Sequence, residues 1–246
     1  MYIIPRPAHS YFTVTALVLL TSAGAASAPA RAESRAQSAV TPPAAATLPA
    51  TIPIFPLPDV MLFPGMSVPL HIFEPRYRAM VADALKGNRI IGMVLLRPGY
   101  EADYERSPSI FPIGCAGVIT DVQALPGGEY DIVLEAITKF RVTREEASKP
   151  YRIAHVTPMP EALAEKDRAA LHAQRERLET LLVGARARIP LPRIPQSAAD
   201  DEVVNGLAQF AHLDPLDRQQ LLDKDGVLPR AAALIEVLQK ALATPP

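Results

Sequence analysis

Two sets of residues in this chain have types that could support acid–base or nucleophilic chemistry. Cys115 could act as a nucleophile, but it lies between Gly114 and Ala116 in an apolar stretch with no basic neighbour. A reactive thiolate needs a basic partner and exposure, so a buried thiol is expected. His71 and Glu74 could form an acid–base pair, but residues three apart in a strand point to opposite faces. Neither set therefore predicts an activated nucleophile.

An acidic run at Asp200, Asp201 and Glu202 could in principle bind a metal ion. The histidines of the chain never fall at metal-ligand spacing, and an H-E-x-x-H motif is missing. Acids in the first turn of a helix interact favourably with its dipole, so a helix start is the favoured interpretation. The glycine-rich phosphate-binding motifs and the G-x-S-x-G elbow are also missing from the sequence. We expect no cofactor and no metal.

The composition narrows the class of protein further. The 246 residues include 25 basic and 26 acidic side chains and one cysteine, and 49% are apolar. One cysteine cannot form an intramolecular disulfide, and the balanced charge offers no polybasic footprint for nucleic acid. The apolar fraction is high enough to build a core.

The first 32 residues have the three parts of a secretory signal peptide. Arg6 precedes the apolar stretch Tyr11–Leu20, and small residues lead to an A-x-A site at Ala30–Ala32. The apolar stretch is shorter than the roughly 20 residues that span a bilayer, so cleavage is favoured and would leave no membrane span. We expect an exported protein of the periplasm or cell envelope, with residues 33–50 as a flexible Ala/Pro leader. The alternatives are a membrane anchor, if the signal stays uncleaved, and a cytoplasmic protein, if the start is misassigned.

Residues 51–158 are predicted to form a small, mostly antiparallel β-barrel with one inserted helix. Short apolar or alternating segments between turn residues indicate six or seven strands, such as Ser67–Phe73. The prolines at 53, 56 and 58 restrict the first strand to an edge or an irregular stretch. Pro75 suits the first position of the helix, and Gly87, which can adopt the left-handed conformation, suits its end.

Residues 159–246 change to a helical period and predict a bundle behind the barrel. A leucine stripe indicates a helix over 161–185, and Ser197 is expected to cap the next helix, with Phe210 on its inward face. Asp214-Pro215 should start a short helix. The predicted fold class is therefore α+β.

Ile54–Gly65 and Val68–Tyr77 are the most specific motifs of this sequence. They resemble the opening of the N-terminal domain of Lon protease, and more closely that of the stand-alone bacterial versions of that domain. Ile113–Ala116, Lys139–Val142 and Leu213–Leu222 resemble later motifs of the family. The resemblance makes residues 51–243 one Lon N-terminal-like domain. It implies a PUA-like barrel followed by helices, which Lon uses to bind unfolded or damaged substrate proteins.

The resemblance implies a non-enzymatic module of protein quality control, because the ATPase and Ser-Lys protease modules of Lon have no counterpart in this sequence. An extended peptide could add as a strand to a barrel edge. The candidate peptide-binding residues are Phe55, Leu57, Phe63, Pro64, Phe73, Arg76 and Tyr77. Of these, Leu57 and Phe73 are expected in the core, and Phe63-Pro64 is expected to be exposed in a turn.

The expected partners are unfolded or damaged proteins or peptides, with a separate ATPase or protease that could receive them, and no nucleic acid. Two other functions stay open. The chain could be a hydrolase with an unrecognised site, for example at Cys115 or an acidic pair. It could also bind RNA, as PUA-like domains do elsewhere, through the modest cluster Arg186, Arg188 and Arg193.

Overall fold

The computed structural model describes residues 48–104, 106–185, 195 and 197–243. The predicted signal peptide, nearly all of the leader and the cluster of Arg186, Arg188 and Arg193 lie outside these residues. The strands are β1 Thr51–Leu57, β2 Ser67–Ile72, β3 Ile90–Leu95, β4 Ile113–Ala124, β5 Tyr130–Glu146 and β6 Arg152–Met159. The α-helices are α1 Pro75–Lys86, α2 Arg168–Ala185, α3 Asp200–Phe210, α4 Pro215–Asp223 and α5 Val227–Ala243.

The described strands form one sheet in the order β2-β5-β4-β3-β1-β6, and β5 also pairs with β6, which closes five strands into a barrel. Only the pairing of β1 with β3 is parallel. The long strand β5 pairs with β2 through Tyr130–Glu135 and with β6 through Lys139–Glu146. The predicted α+β fold, a mostly antiparallel barrel with one inserted helix and C-terminal helices, is confirmed.

The first strand is not an edge strand, so that expectation is wrong. β1 lies between β3 and β6: Pro53 pairs with Ile153 of β6, and Pro56 pairs with Val94 of β3. The pairing with β6 ends at Ile54, where the pairing with β3 begins. Each proline therefore has a strand partner on one side only, which leaves its missing N–H at an unpaired position.

Helix α1 begins at Pro75, as predicted, and ends before Gly87. The expectation of a left-handed glycine there is wrong, because Gly87 has φ −115°. Arg89 instead adopts a positive φ of 62°. Its N–H donates to the carbonyl of Ala84 at 3.0 Å, as does the N–H of Gly87, so one carbonyl near the helix end accepts both bonds.

The helix predicted over 161–185 begins later, at Arg168. Glu161 lies outside the helix, where it forms ion pairs with Arg230 and Lys139, and a 3₁₀ turn at Glu165–Asp167 precedes Arg168. The short helix begins at Pro215 as predicted, with Asp214 accepting from the N–H of Leu216 at 2.8 Å. In the described part of the chain, no helix is long and apolar enough to cross a membrane.

The acidic run forms the first turn of α3, as expected. The residue before the helix is Ala199 rather than the predicted Ser197. The carboxylate of Glu202 accepts a hydrogen bond from the N–H of Ala199 at 3.0 Å, which is the acidic half of a capping box without the serine half.

The barrel and the helices meet through a buried polar contact. Lys139 of β5 donates to a carboxylate oxygen of Glu161 at 2.8 Å and to the carbonyl of Lys224 at 2.6 Å. Arg230 of α5 donates to the carbonyl of Leu221 at 3.1 Å. Both carbonyls lie at the C-terminal end of α4, where positive side chains complement the helix dipole.

Candidate binding surface

Four of the candidate peptide-binding residues lie in the core. Phe55 and Phe63 have no exposed surface, Leu57 is 1% exposed and Tyr77 is 3% exposed. The rings of Phe55 and Tyr77 are in contact, with their centroids 4.3 Å apart. In this conformation these four side chains cannot contact a peptide.

The expectation that the Phe63-Pro64 turn would be exposed is wrong for Phe63. Its N–H donates to Oε1 of Gln209 on α3 at 2.9 Å. The guanidinium of Arg230 lies 5.6 Å from the centre of its ring. The carbonyl of the partly exposed Pro64 accepts from Asn205, also on α3, at 3.0 Å. Helices distant in sequence therefore cover this turn.

Arg76 is partly exposed and firmly held. Its guanidinium lies 4.7 Å from the ring centres of both Tyr77 and Tyr104, and Nε donates to the carboxylate of Glu74 at 3.0 Å. Burial lowers the pKa of Arg76, but neighbouring Tyr77 and Glu74 outweigh this and raise it. Burial and a hydrogen bond to Glu74 raise the pKa of Tyr104 to about 12. Arg76 thus stays charged, and its charge is compensated inside the protein.

A cleft of about 450 Å³ opens beside Arg76, between the start of α1, residues 106–109 and the β5–β6 connection. The cations along it each have a carboxylate partner within 4 Å. The pairs are Arg76–Glu74, Arg106–Asp103, Lys149–Asp83 and Arg152–Glu145. The cleft therefore offers no excess charge that would select a ligand of one sign.

The structure supports no nucleophile at Cys115. The residue has no exposed surface, and burial raises the pKa of its thiol to about 12. Among the residues that the structure describes, no group of three or more His, Cys, Asp or Glu side chains could hold a metal ion.

Phe73, next to the end of β2, is the one partly exposed residue among the four aromatic candidates. It is partly exposed and packs against the barrel core, which agrees with the expectation of a core position. Its ring stacks on that of His71 at 6.0 Å and 25°. The imidazole of His71 contacts Asp131 at 2.7 Å and Glu129 at 3.3 Å. A polar and aromatic surface therefore borders β2.

Sequence reasoning missed an exposed apolar corner between α3 and α4. Phe210, predicted to face inward, is 45% exposed, and Leu216 is 40% exposed. Phe210 is the last residue of α3, where the chain leaves the helix. A helical period cannot indicate whether the next element covers such a terminal residue.

This architecture matches a known family. The chain belongs to the family described as the ATP-dependent protease La (LON) substrate-binding domain, whose model matches residues 51–240. The match is to this domain of Lon and not to its catalytic domains. The resemblance of the sequence motifs to Lon is thereby confirmed.

Curated relatives include Lon protease 1 of Herpetosiphon aurantiacus, 27% identical over 208 residues, which cover 80% of this chain and 25% of the relative. Lon protease of Cytophaga hutchinsonii is 24% identical over 204 residues, or 78% of this chain and 24% of the relative. The chain thus spans about a quarter of the length of these relatives.

Two solved structures share the fold. The N-terminal domain of Mycobacterium avium complex Lon protease has a TM-score of 0.57 and 18% identity, covering 77% of this chain and 98% of that chain. A Lon N-terminal domain protein from Xanthomonas campestris has a TM-score of 0.51 and 24% identity, covering 80% of this chain and 99% of that chain.

Proposed function

We propose that this chain is a non-catalytic module that binds unfolded or extended segments of other proteins. The observation that carries the proposal is the match of residues 51–240 to the substrate-binding domain of Lon. The bound proteins would be unfolded or damaged, and a separate ATPase or protease could receive them.

Local chemistry supports the non-catalytic part of the proposal. Cys115 is buried with a raised pKa, and the cations of the cleft beside Arg76 are already paired with carboxylates. A hydrolase would need a nucleophile within hydrogen-bond reach of an activating base. The buried thiol of Cys115 does not meet that requirement.

We also propose that binding takes place in the periplasm or cell envelope. Residues 1–32 carry the positive start, short apolar middle and small-residue exit of a secretory signal. Export would separate this protein from cytoplasmic Lon substrates and direct it to unfolded proteins outside the cytoplasm.

Fluorescence anisotropy tests the proposed function. One labelled protein is used in its native form and after irreversible unfolding by reduction and alkylation, and each form is titrated with this chain. We expect saturable binding to the unfolded form and no binding to the native form. An excess of the same unlabelled unfolded protein should reverse the signal. Equal binding to both forms, or binding to neither, would reject the proposal.

A further inference from the structure

Strand β2 leaves one edge without a strand partner. Among the described strands it pairs with β5 alone. The N–H of Ala136 donates to the carbonyl of Met66 at 2.8 Å, which fixes the alternation along the pair. Val68, Leu70 and Ile72 therefore direct their backbone groups to β5, and Ser67, Pro69 and His71 direct theirs outward.

Three residues of β2 face this open edge. The carbonyl of Ser67 is already taken by Nε2 of Gln209 at 2.9 Å. Pro69 has no N–H, which agrees with an outward position on an edge strand. His71 offers both an N–H and a carbonyl, and no described residue bonds to either. The usable part of the edge thus runs from the carbonyl of Pro69 to His71.

The outer surface beside this edge is acidic. The register places Pro69, Val133 and Asp121 in one row across β2, β5 and β4, so their side chains share the outward face. The residues 67–72, 118–124 and 129–136 contain no lysine or arginine. Their carboxylates are Asp121, Glu129, Asp131 and Glu135. We call the open edge from Pro69 to His71, with Phe73 and these four carboxylates, the β2 patch.

We propose that the β2 patch binds an extended basic segment of a substrate protein by strand addition. This inference rests on the proposed function and names its substrate class. The backbone of the segment bonds to His71 and to the carbonyl of Pro69, and Phe73 provides an apolar contact. An added strand lies two strand spacings, about 10 Å, from β5. A lysine on the segment and an aspartate or glutamate on β5 can bridge that distance together.

Charge determines which segments are accepted. Asp121, Glu129 and Glu135 attract Lys and Arg side chains and repel Asp and Glu. Asp131 is already held by His71, which also contacts Glu129, and the guanidinium of Arg78 lies beside Gly128 at the neighbouring turn. Exposed charges are screened by salt, so the preference should weaken as ionic strength rises.

Two labelled ten-residue peptides, one alternating valine with lysine and one alternating valine with glutamate, test the charge preference by anisotropy. We expect the full chain to bind the lysine peptide at least about tenfold more tightly, a difference of about 1.4 kcal/mol. The double variant Glu129→Lys/Glu135→Lys, which changes the carboxylates beside His71 and on β5, should bind the lysine peptide about tenfold more weakly. The control Glu176→Lys/Glu236→Lys makes the same charge change on exposed residues of α2 and α5, and should lose less than twofold.

The variant His71→Pro tests the backbone contact, with His71→Ala as its control. Both substitutions remove the imidazole, but only proline also removes the outward N–H. His71→Pro should therefore bind the lysine peptide more weakly than His71→Ala. Equal binding of the two peptides, or full affinity in the charge-reversed variant, would overturn the inference. If unfolded protein still bound in that case, the proposed function would stand and the binding surface would lie elsewhere.

Discussion

Arg230 of α5 and Glu161, which follows β6, form an ion pair in which the arginine has no exposed surface. Nη1 of Arg230 donates to Oε2 of Glu161 at 2.9 Å, and Nη2 donates to the other carboxylate oxygen. Nη1 also donates to Oδ1 of Asn205 at 2.7 Å, and Lys139 contacts the same carboxylate from β5. One carboxylate thus connects the barrel to the helices and compensates two buried cations.

Replacing Glu161 with glutamine should lower the free energy of unfolding by about 3 kcal/mol, because Arg230 and Lys139 would stay buried without a counter-charge. Urea denaturation followed by circular dichroism measures the change. Glu176→Gln is the control, because the side chain of Glu176 is 69% exposed, and it should change stability by less than about 0.5 kcal/mol. Equal effects of the two variants would contradict this role of Glu161.

The same carboxylate should make stability depend on pH. Burial alone would raise the pKa of Glu161, but the hydrogen bonds and charges of Arg230 and Lys139 hold it below its usual range. A carboxyl whose pKa folding lowers stabilises the protein above its unfolded pKa, about 4.3, and loses that contribution as pH falls through the folded pKa. The free energy of unfolding, measured from pH 7 to pH 3, should therefore fall more steeply for the wild type than for Glu161→Gln. Parallel curves would show that Glu161 does not carry this dependence.

Phe63 should behave as a core residue. It has no exposed surface and packs beneath Arg230, so Phe63→Ala should cost about 3–5 kcal/mol of stability. Phe210→Ala is the matched control, because Phe210 is 45% exposed, and we expect less than about 1 kcal/mol. Thermal unfolding of both variants tests the assignment. A stable Phe63→Ala variant would return this residue to the binding candidates.

The thiol of Cys115 should resist alkylation in the folded protein. It is fully buried and its pKa is raised to about 12, so at pH 8 it is protonated and inaccessible. Intact mass after treatment with iodoacetamide should show no adduct in native buffer and one adduct in urea. Rapid modification of the native protein would reopen a nucleophilic role for Cys115.

Export should be visible in the mass of the native protein. Cleavage after Ala32 removes the predicted signal peptide, so the protein from the cell envelope should have the mass of residues 33–246. Mass spectrometry of that fraction measures it. The full-length mass in the cytoplasmic fraction would reject export.

Local patterns predicted much of the fold. The alternation of Val68, Leu70 and Ile72 gave β2, and Pro75 marked the start of α1, because both signals act within a few residues. The burial of Phe63 was not predictable in this way, since it packs in a core formed with the distant C-terminal helices, and Gln209, which accepts from its N–H, lies 146 positions away. The ion pair of Glu161 with Arg230 likewise joins residues that are distant in the sequence.

The candidate site was less predictable than the fold. Motif resemblance identified the family, but an apolar residue that specifies a fold and one that binds a ligand look alike in sequence. Leu57 and Tyr77 lie in the core, whereas Phe73 is partly exposed. The open edge of β2 follows from the strand order. β2 and β6 pair with successive parts of β5, and no described strand pairs with the other side of β2. No local pattern records that order.

Native mass spectrometry of the chain mixed with an unfolded protein tests the central claim most directly, because it reports binding and cleavage together. We predict a complex whose mass is the sum of the two intact proteins, and an unfolded protein that keeps its full mass after prolonged incubation. The absence of a complex would contradict the binding function, and fragments of the unfolded protein would contradict its non-catalytic character.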